Sequence, residues 1–216
     1  MVIHKRRGLV RLALALTLLT VPVAIAPPAA AQEAVLELDP ARTRIDFTLP
    51  GFPHSVHGTF TLKRGTFRVD SATGKADGLM IVDAASGQSG NRARDSEMNE
   101  SVLETHRYPE ITFAPQQIEG QGAPPGEFRV KIRGVFSLHG TDHALTLDAV
   151  VRLTGEEWTA TTHFSVPYVE WGLKDPSILI LRVSDKVQID VSAVGQVTWT
   201  PVVQTKSGGA PKESGR

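Results

Sequence analysis

Phe128-Arg129-Val130-Lys131-Ile132-Arg133-Gly134-Val135-Phe136-Ser137-Leu138, followed by Leu145-Thr146-Leu147-Asp148-Ala149-Val150-Val151-Arg152-Leu153, is the stretch whose reading decides the fold. In its first half Phe128, Val130, Ile132, Phe136 and Leu138 share one face of an extended chain. Arg129, Lys131, Arg133 and Ser137 take the other. After Gly140-Thr141-Asp142 the alternation resumes, with Leu145, Leu147, Ala149, Val151 and Leu153 pointing one way. Strand side chains alternate between faces with a period of two, so the pattern predicts a β-hairpin with a short turn. A slip of one residue would expose every one of these apolar side chains, so burial sets the register.

The same signature extends outward along the chain. Further strands are expected at Ala34–Leu38, Arg44–Leu49, His57–Lys63, Thr66–Asp70, Gly78–Asp83, Glu110–Gln116, Trp158–Val166, Ile178–Val183 and Lys186–Trp199. No long stretch shows a helical period of 3.6 residues. Short strands separated by Gly, Pro, Asp and Asn fit a sandwich or a closed barrel. Long two-faced hairpins favour the barrel, because closure removes the unpaired edges that invite aggregation. One break stands out: Ser86-Gly87-Gln88-Ser89-Gly90-Asn91-Arg92-Ala93-Arg94-Asp95 is too polar and Gly-rich to continue a ladder. Asp95 is expected to cap a short helical insertion near residues 94–105, with Met98, Val102 and Leu103 on one face, before Pro109 restores extended geometry.

The first 31 residues read as a secretory signal peptide. His4, Lys5, Arg6, Arg7 and Arg11 precede an apolar run from Leu12 to Ala26, and Ala29-Ala30-Ala31 offers small residues for cleavage before Gln32. Those apolar residues, interrupted by Pro22, fall short of the roughly 20 needed to span a bilayer. Lys5-Arg6-Arg7-Gly8-Leu9-Val10-Arg11 also has the paired arginines of a twin-arginine signal. A periplasmic or secreted protein without a stable membrane anchor is therefore expected. The absence of cysteine excludes both lipidation at a cysteine and disulfide stapling.

Removing the signal leaves 19 basic residues against 23 acidic ones, with no basic stripe, which argues against nucleic acid as a partner. The expected organisation is a signal peptide at 1–31, one β domain at 32–200 and a disordered tail at 201–216. The tail is expected from Lys206-Ser207-Gly208-Gly209-Ala210-Pro211. Assembly into a homodimer is left open.

No constellation of catalytic residues emerges, and the chain reads as a non-enzyme. Gly87-Gln88-Ser89-Gly90 lacks the spacing of a nucleophile elbow, and the acidic residues are scattered. Asp95 beside Arg94 reads as a helix cap and ion pair. His54 and His57 lie three apart, and His139 and His143 flank a turn, but the three or four converging ligands of a zinc site are missing, so no metal or cofactor is expected. Rim histidines that hydrogen-bond are the simpler reading, with His139 and His143 as headgroup contacts if they act.

Several pieces in order resemble the YceI-like family of bacterial secreted proteins. Leu38-Asp39-Pro40-Ala41-Arg42-Thr43-Arg44-Ile45-Asp46-Phe47 is similar to its opening strand and Val56-His57-Gly58-Thr59-Phe60 to its second. Arg94-Asp95 and Tyr108-Pro109-Glu110-Ile111-Thr112-Phe113 are the most specific pieces. Gly134-Val135-Phe136-Ser137-Leu138-His139-Gly140 with Leu145-Thr146-Leu147 resembles the central hairpin, and Trp171-Gly172 with Val187-Gln188-Ile189 resembles the closing strands. Ser96-Glu97, Trp171 and Asp142-His143 depart from the family pattern and mark a divergent branch.

The resemblance implies an all-β, extended, antiparallel eight-stranded lipocalin-like barrel whose apolar interior holds an isoprenoid lipid or isoprenoid quinone. A carrier or store for such an amphiphile is the expected function. A filled barrel acting as an envelope-stress or interaction module is the alternative. Lining residues are expected among Phe47, Phe60, Met80, Met98, Phe113, Val130, Ile132, Phe136, Leu147, Ala149 and Phe164, with room supplied by Gly134, Ala149 and Ala193. Burying about 600 Å² of lipid tail would contribute roughly 15 kcal/mol gross, much of it offset by ordering and docking costs.

Overall fold

The computed structural model describes residues 32–121, 126–177 and 182–201. The expected signal peptide at 1–31 and residues 202–216 of the expected tail lie outside these residues, as do 178–181 of one expected strand, whereas Pro201 ends the last strand. The strands are β1 (Gln32–Leu38), β2 (Arg44–Leu49), β3 (Gly51–Phe52), β4 (Val56–Asp70), β5 (Ala76–Gln88), β6 (Glu110–Gln121), β7 (Gly126–Leu138), β8 (Thr141–Thr154), β9 (Glu157–Val166), β10 (Arg182–Val183) and β11 (Val187–Pro201). Between β5 and β6 lie a short helix α1 (Arg92–Glu97) and a π-helical turn, Met98–Val102.

The wall is a closed, antiparallel, eight-stranded barrel. β11 pairs with β9 on one side and with both β1 and β2 on the other, while β1 and β2 together line β4. β1 and β2 thus occupy one strand position, interrupted at Asp39–Thr43. That detour accounts for the Asp-Pro signature: the Asp39 carboxylate accepts from the Ala41 amide at 2.9 Å, and the Thr43 hydroxyl accepts from the Val194 amide at 3.3 Å. Backbone groups that leave the ladder are thereby satisfied.

His57–Lys63 and Thr66–Asp70, expected as two strands, form the single strand β4. Leu62 pairs with Val82 and Arg64 with Ile81, leaving Lys63 as the extra residue of a bulge. A second bulge falls at Gln116, directly after the buried Pro115, which has no N–H to give a ladder. Bulges bend strands and increase twist, which long strands need in order to close a barrel.

The hairpin between β7 and β8 has the expected faces. Phe128 opposes Val151, Val130 opposes Ala149, Ile132 opposes Leu147 and Phe136 opposes His143, and none of the ten apolar residues expected inside is exposed. The turn is tighter than expected. Leu138 pairs with Thr141, so His139 and Gly140 alone make it, with φ of 52° and 75°. Positive φ at both central positions is the type I′ geometry that matches strand twist.

Two further expectations are corrected. Asp95 does not cap α1; Asn91 does, its side chain accepting from the Arg94 amide at 3.1 Å. The Asp95 carboxylate instead accepts from the Ser89 amide at 2.8 Å and from the Ser89 hydroxyl. Those bonds, the hydroxyl first, hold its pKa below the usual carboxylate value. Arg94 donates to the Ser89 hydroxyl and carbonyl, so the two charges meet on Ser89 rather than on each other. Trp171-Gly172, expected in a closing strand, sits in the loop after β9. In the Ile178–Val183 segment, only Arg182–Val183 is a described strand, paired with Gly51–Phe52.

Candidate functional site

The long connections gather at one end of the barrel. β2–β4, β5–β6 and β9–β11 are joined there, by residues 50–55, 89–109 and 167–186, together with the His139-Gly140 turn. Compact connections at 71–75 and 155–156 lie at the other end, and the 39–43 detour lies part-way along the wall. Lys174 and Glu97 join the two largest loops at 2.9 Å, although an exposed pair of this kind contributes little energy.

Apolar packing divides accordingly. Ala34, Leu38, Ile45, Leu62, Val82, Trp158, Ala193 and Val197 form a buried cluster toward the short-turn end. Val102, Leu103, Leu138, Val166, Tyr168 and Leu173 form another beneath the loops. Phe60, Ile111 and Ile189 pack against both clusters yet are only partly buried. Met80, Ile132, Phe136, Phe164 and Val191, which share the inward face, are partly buried as well. These inward side chains are only partly buried, so the interior between the two clusters is less completely packed than the clusters themselves.

Each expected lining residue has a definite place. Val130, Leu147 and Ala149 are inward and buried, whereas Phe60, Met80, Ile132, Phe136 and Phe164 are inward and partly exposed. Phe47 and Phe113 are part of the wall: they lie over Gly58 and Gly134, where an added Cβ would come within 2.5 and 2.8 Å of their rings. The space expected at Gly134 is therefore occupied by Phe113. Met98 caps rather than lines, its methyl group lying over Gly87. Glycines let these side chains fold flat against the sheet instead of projecting across the interior.

His139 and His143 diverge. The His139 ring packs on Tyr108 at 4.3 Å, and its Nε2 is 3.5 Å from a Glu104 carboxylate oxygen, within ion-pair range when the imidazole is protonated but not hydrogen-bonded. His143 stacks on Trp171 at 3.8 Å with planes only 6° apart, and Trp171 touches Phe136 at 5.8 Å. Trp171, Tyr108 and Tyr168 were not expected at the site; aromatic residues in a loop give no periodic signal that would assign them to it. Among the described residues no three His, Cys, Asp or Glu side chains come together as a metal site.

Tyr168 holds the loop after β9 in place, its hydroxyl donating to the Ser184 carbonyl at 2.9 Å. Burial first, and then Asp175 and Asp185, push its pKa up to about 12. An unfolded tyrosine titrates near pH 10, so the folded state binds this proton more tightly. The associated stability, about 2 kcal/mol, is intact below pH 10 and is lost as pH rises toward 12. Urea midpoints are expected to fall across that window, and Tyr168→Phe to fall less steeply. Equal slopes in both proteins would show that Tyr168 is not the group responsible.

A wider cleft of about 400 Å³ opens at the short-turn end between Glu33, Arg68, Asp70, Lys75, Asp77 and Gln117. Its charged walls do not suit an apolar ligand. Among known families, the one described as the YceI-like domain matches residues 36–195. The chain belongs to the YceI-like family.

Solved structures show the same fold. BcnA from Burkholderia cenocepacia superposes with a TM-score of 0.60 at 17% identity, over 73% of this chain and 98% of that one. A polyisoprenoid binding domain from Saccharophagus degradans, implicated in plant cell wall breakdown, gives 0.56 at 16% identity, over 79% and 100%. No curated protein matches the chain. In this YceI-like barrel the expected opening strand is the β1–β2 pair stepping across Asp39–Thr43, and the Tyr108–Phe113 motif carries the chain from the cap into β6.

Proposed function

We propose that this YceI-like protein is a non-enzymatic carrier or store for an amphiphilic lipid, with an isoprenoid tail in the barrel and its polar head beneath the loops. The observation that carries this reading is the waist: large inward apolar side chains, Phe60, Ile111 and Ile189 among them, remain partly exposed between two buried clusters. Apolar surface facing a lumen is stabilised when a hydrocarbon chain covers it, at roughly 25 cal/mol per Å². A barrel filled by its own side chains would have buried these residues. The polyisoprenoid-binding description of one structural neighbour supports the tail chemistry.

The basic start, apolar run and Ala29-Ala30-Ala31 support delivery to the periplasm or exterior. One preparation tests both parts. Protein recovered from the periplasmic fraction is expected to begin at Gln32, and its organic extract to contain an isoprenoid lipid or quinone by mass spectrometry. A well-folded protein that carries no lipid and takes up no isoprenoid quinone would replace the carrier reading with an interaction module. An intact Met1 on a membrane-bound product would overturn the secretion.

A further inference from the structure

We infer that His143, held against Trp171, recognises the headgroup of the bound lipid and selects a neutral head bearing a carbonyl or hydroxyl oxygen over a headless hydrocarbon or a diphosphate. The inference rests on the tail-in-barrel reading above and names the chemistry at its polar end.

Buried side-chain nitrogen and oxygen atoms in folded proteins nearly always have a partner. Among the described residues three lack one within the protein: Asn99 Oδ1, His139 Nε2 and His143 Nε2. All three belong to the loop-bearing end, Asn99 in the π-helical turn and the histidines at the β7–β8 hairpin. His139 has Glu104 nearby. His143 has no comparable polar neighbour, because its ring face is taken by Trp171 and its strand partner is Phe136. Phe136 is itself inward and partly exposed, and it contacts both Trp171 and Phe164, which places His143 at the upper border of the lumen. A neutral imidazole nitrogen there can donate to a carbonyl, or exchange a hydrogen bond with a hydroxyl, according to its tautomer. The parallel stack fixes the ring's orientation.

Charge at this end disfavours a diphosphate. Such a head needs arginine or lysine partners that remain with it when water is removed. Lys174 is committed to Glu97 on the surface, and Arg107 lies exposed over Tyr108. Asp175 and Asp185 also lie close enough to Tyr168 to oppose its ionisation.

The test uses the purified full chain and four probes with one prenyl tail: a benzoquinone, an alcohol, a diphosphate and the bare hydrocarbon, each competed against a fluorescent fatty probe. The quinone or alcohol is expected to bind about tenfold more tightly than the hydrocarbon, in line with one well-made hydrogen bond, and the diphosphate to bind most weakly. His143→Ala should remove that tenfold gap and leave hydrocarbon binding unchanged, while His143→Gln, which keeps an N–H donor, should retain most of it. Circular dichroism checks the fold; if His143→Ala does not fold, Trp171→Phe, which loosens the stack, is expected to narrow the gap instead. A diphosphate that binds tightest, four probes that bind alike, or a gap that survives in folded His143→Ala overturns the headgroup assignment and leaves the carrier reading standing. If the wild-type protein binds none of the four, the carrier reading itself falls.

Discussion

Ala149→Arg is expected to reduce co-purifying lipid at least about tenfold while the barrel still forms. Ala149 is 4% exposed and inward, opposite Val130 on one side and Thr162 on the other. A guanidinium placed there meets apolar side chains and no carboxylate partner, and its bulk takes volume that a tail would occupy. Both effects act in the lumen, so outward positions on the same strand serve as controls: Asp148→Asn, which breaks the 2.8 Å surface pair with Lys131, should leave lipid content unchanged. Ala149→Leu separates bulk from charge and should reduce retention partially. Mass spectrometry of the organic extract gives the lipid content, with circular dichroism as the folding check. Wild-type lipid levels in folded Ala149→Arg would mean that the tail does not lie in the barrel.

Gly134→Val is expected to destabilise the wall by about 3 kcal/mol or more. An added Cβ would lie 2.4 Å from the Ala114 carbonyl oxygen and 2.8 Å from the Phe113 ring. The ring could swing away into the lumen; the carbonyl belongs to the adjacent strand β6 and cannot move without breaking the ladder. Phe113 is 8% exposed because Gly134 receives its ring flat against the wall. The change should lower the urea midpoint sharply, and if the protein is recovered folded, lipid uptake should fall with the displaced ring. A midpoint within about 0.5 kcal/mol of wild type would show that β6 and β7 can separate at this point.

The alternation of Phe128–Leu138 and Leu145–Leu153 was legible because a strand's two faces are a local, period-two property, and burial of one face then sets the register. The polar break at Ser86–Asp95 was legible only in part: β5 runs on through Ser86-Gly87-Gln88 and pairs Gln88 with Thr59, so the ladder stops at Ser89 rather than at Ser86, and the hydrogen bonds of the break were not legible. Asn91 and Asp95 are both good capping residue types four positions apart, and only the folded path of Ser89 shows that Asn91 takes the cap and Asp95 takes the serine. Gly134 was similarly ambiguous. A missing side chain in a sequence looks like space, whereas the pairing of β6 with β7 turns it into the seat of a ring.

By itself, the order of residues determined the β class, the inward face of the central hairpin, the single short helical insertion and the separation of an apolar interior from a charged exterior. Those features follow from interactions between neighbours along the chain and from the need to bury apolar surface. Tertiary structure alone decided that β1 and β2 share one strand position, that three long loops meet at one end, and that His139 turns to Tyr108 and Glu104 while His143 stacks on Trp171. These are contacts between segments dozens of residues apart, and closure of the sheet brings them together. No local pattern encodes which aromatic ring from a distant loop will cover which histidine, because that depends on how the barrel closes around its bulges.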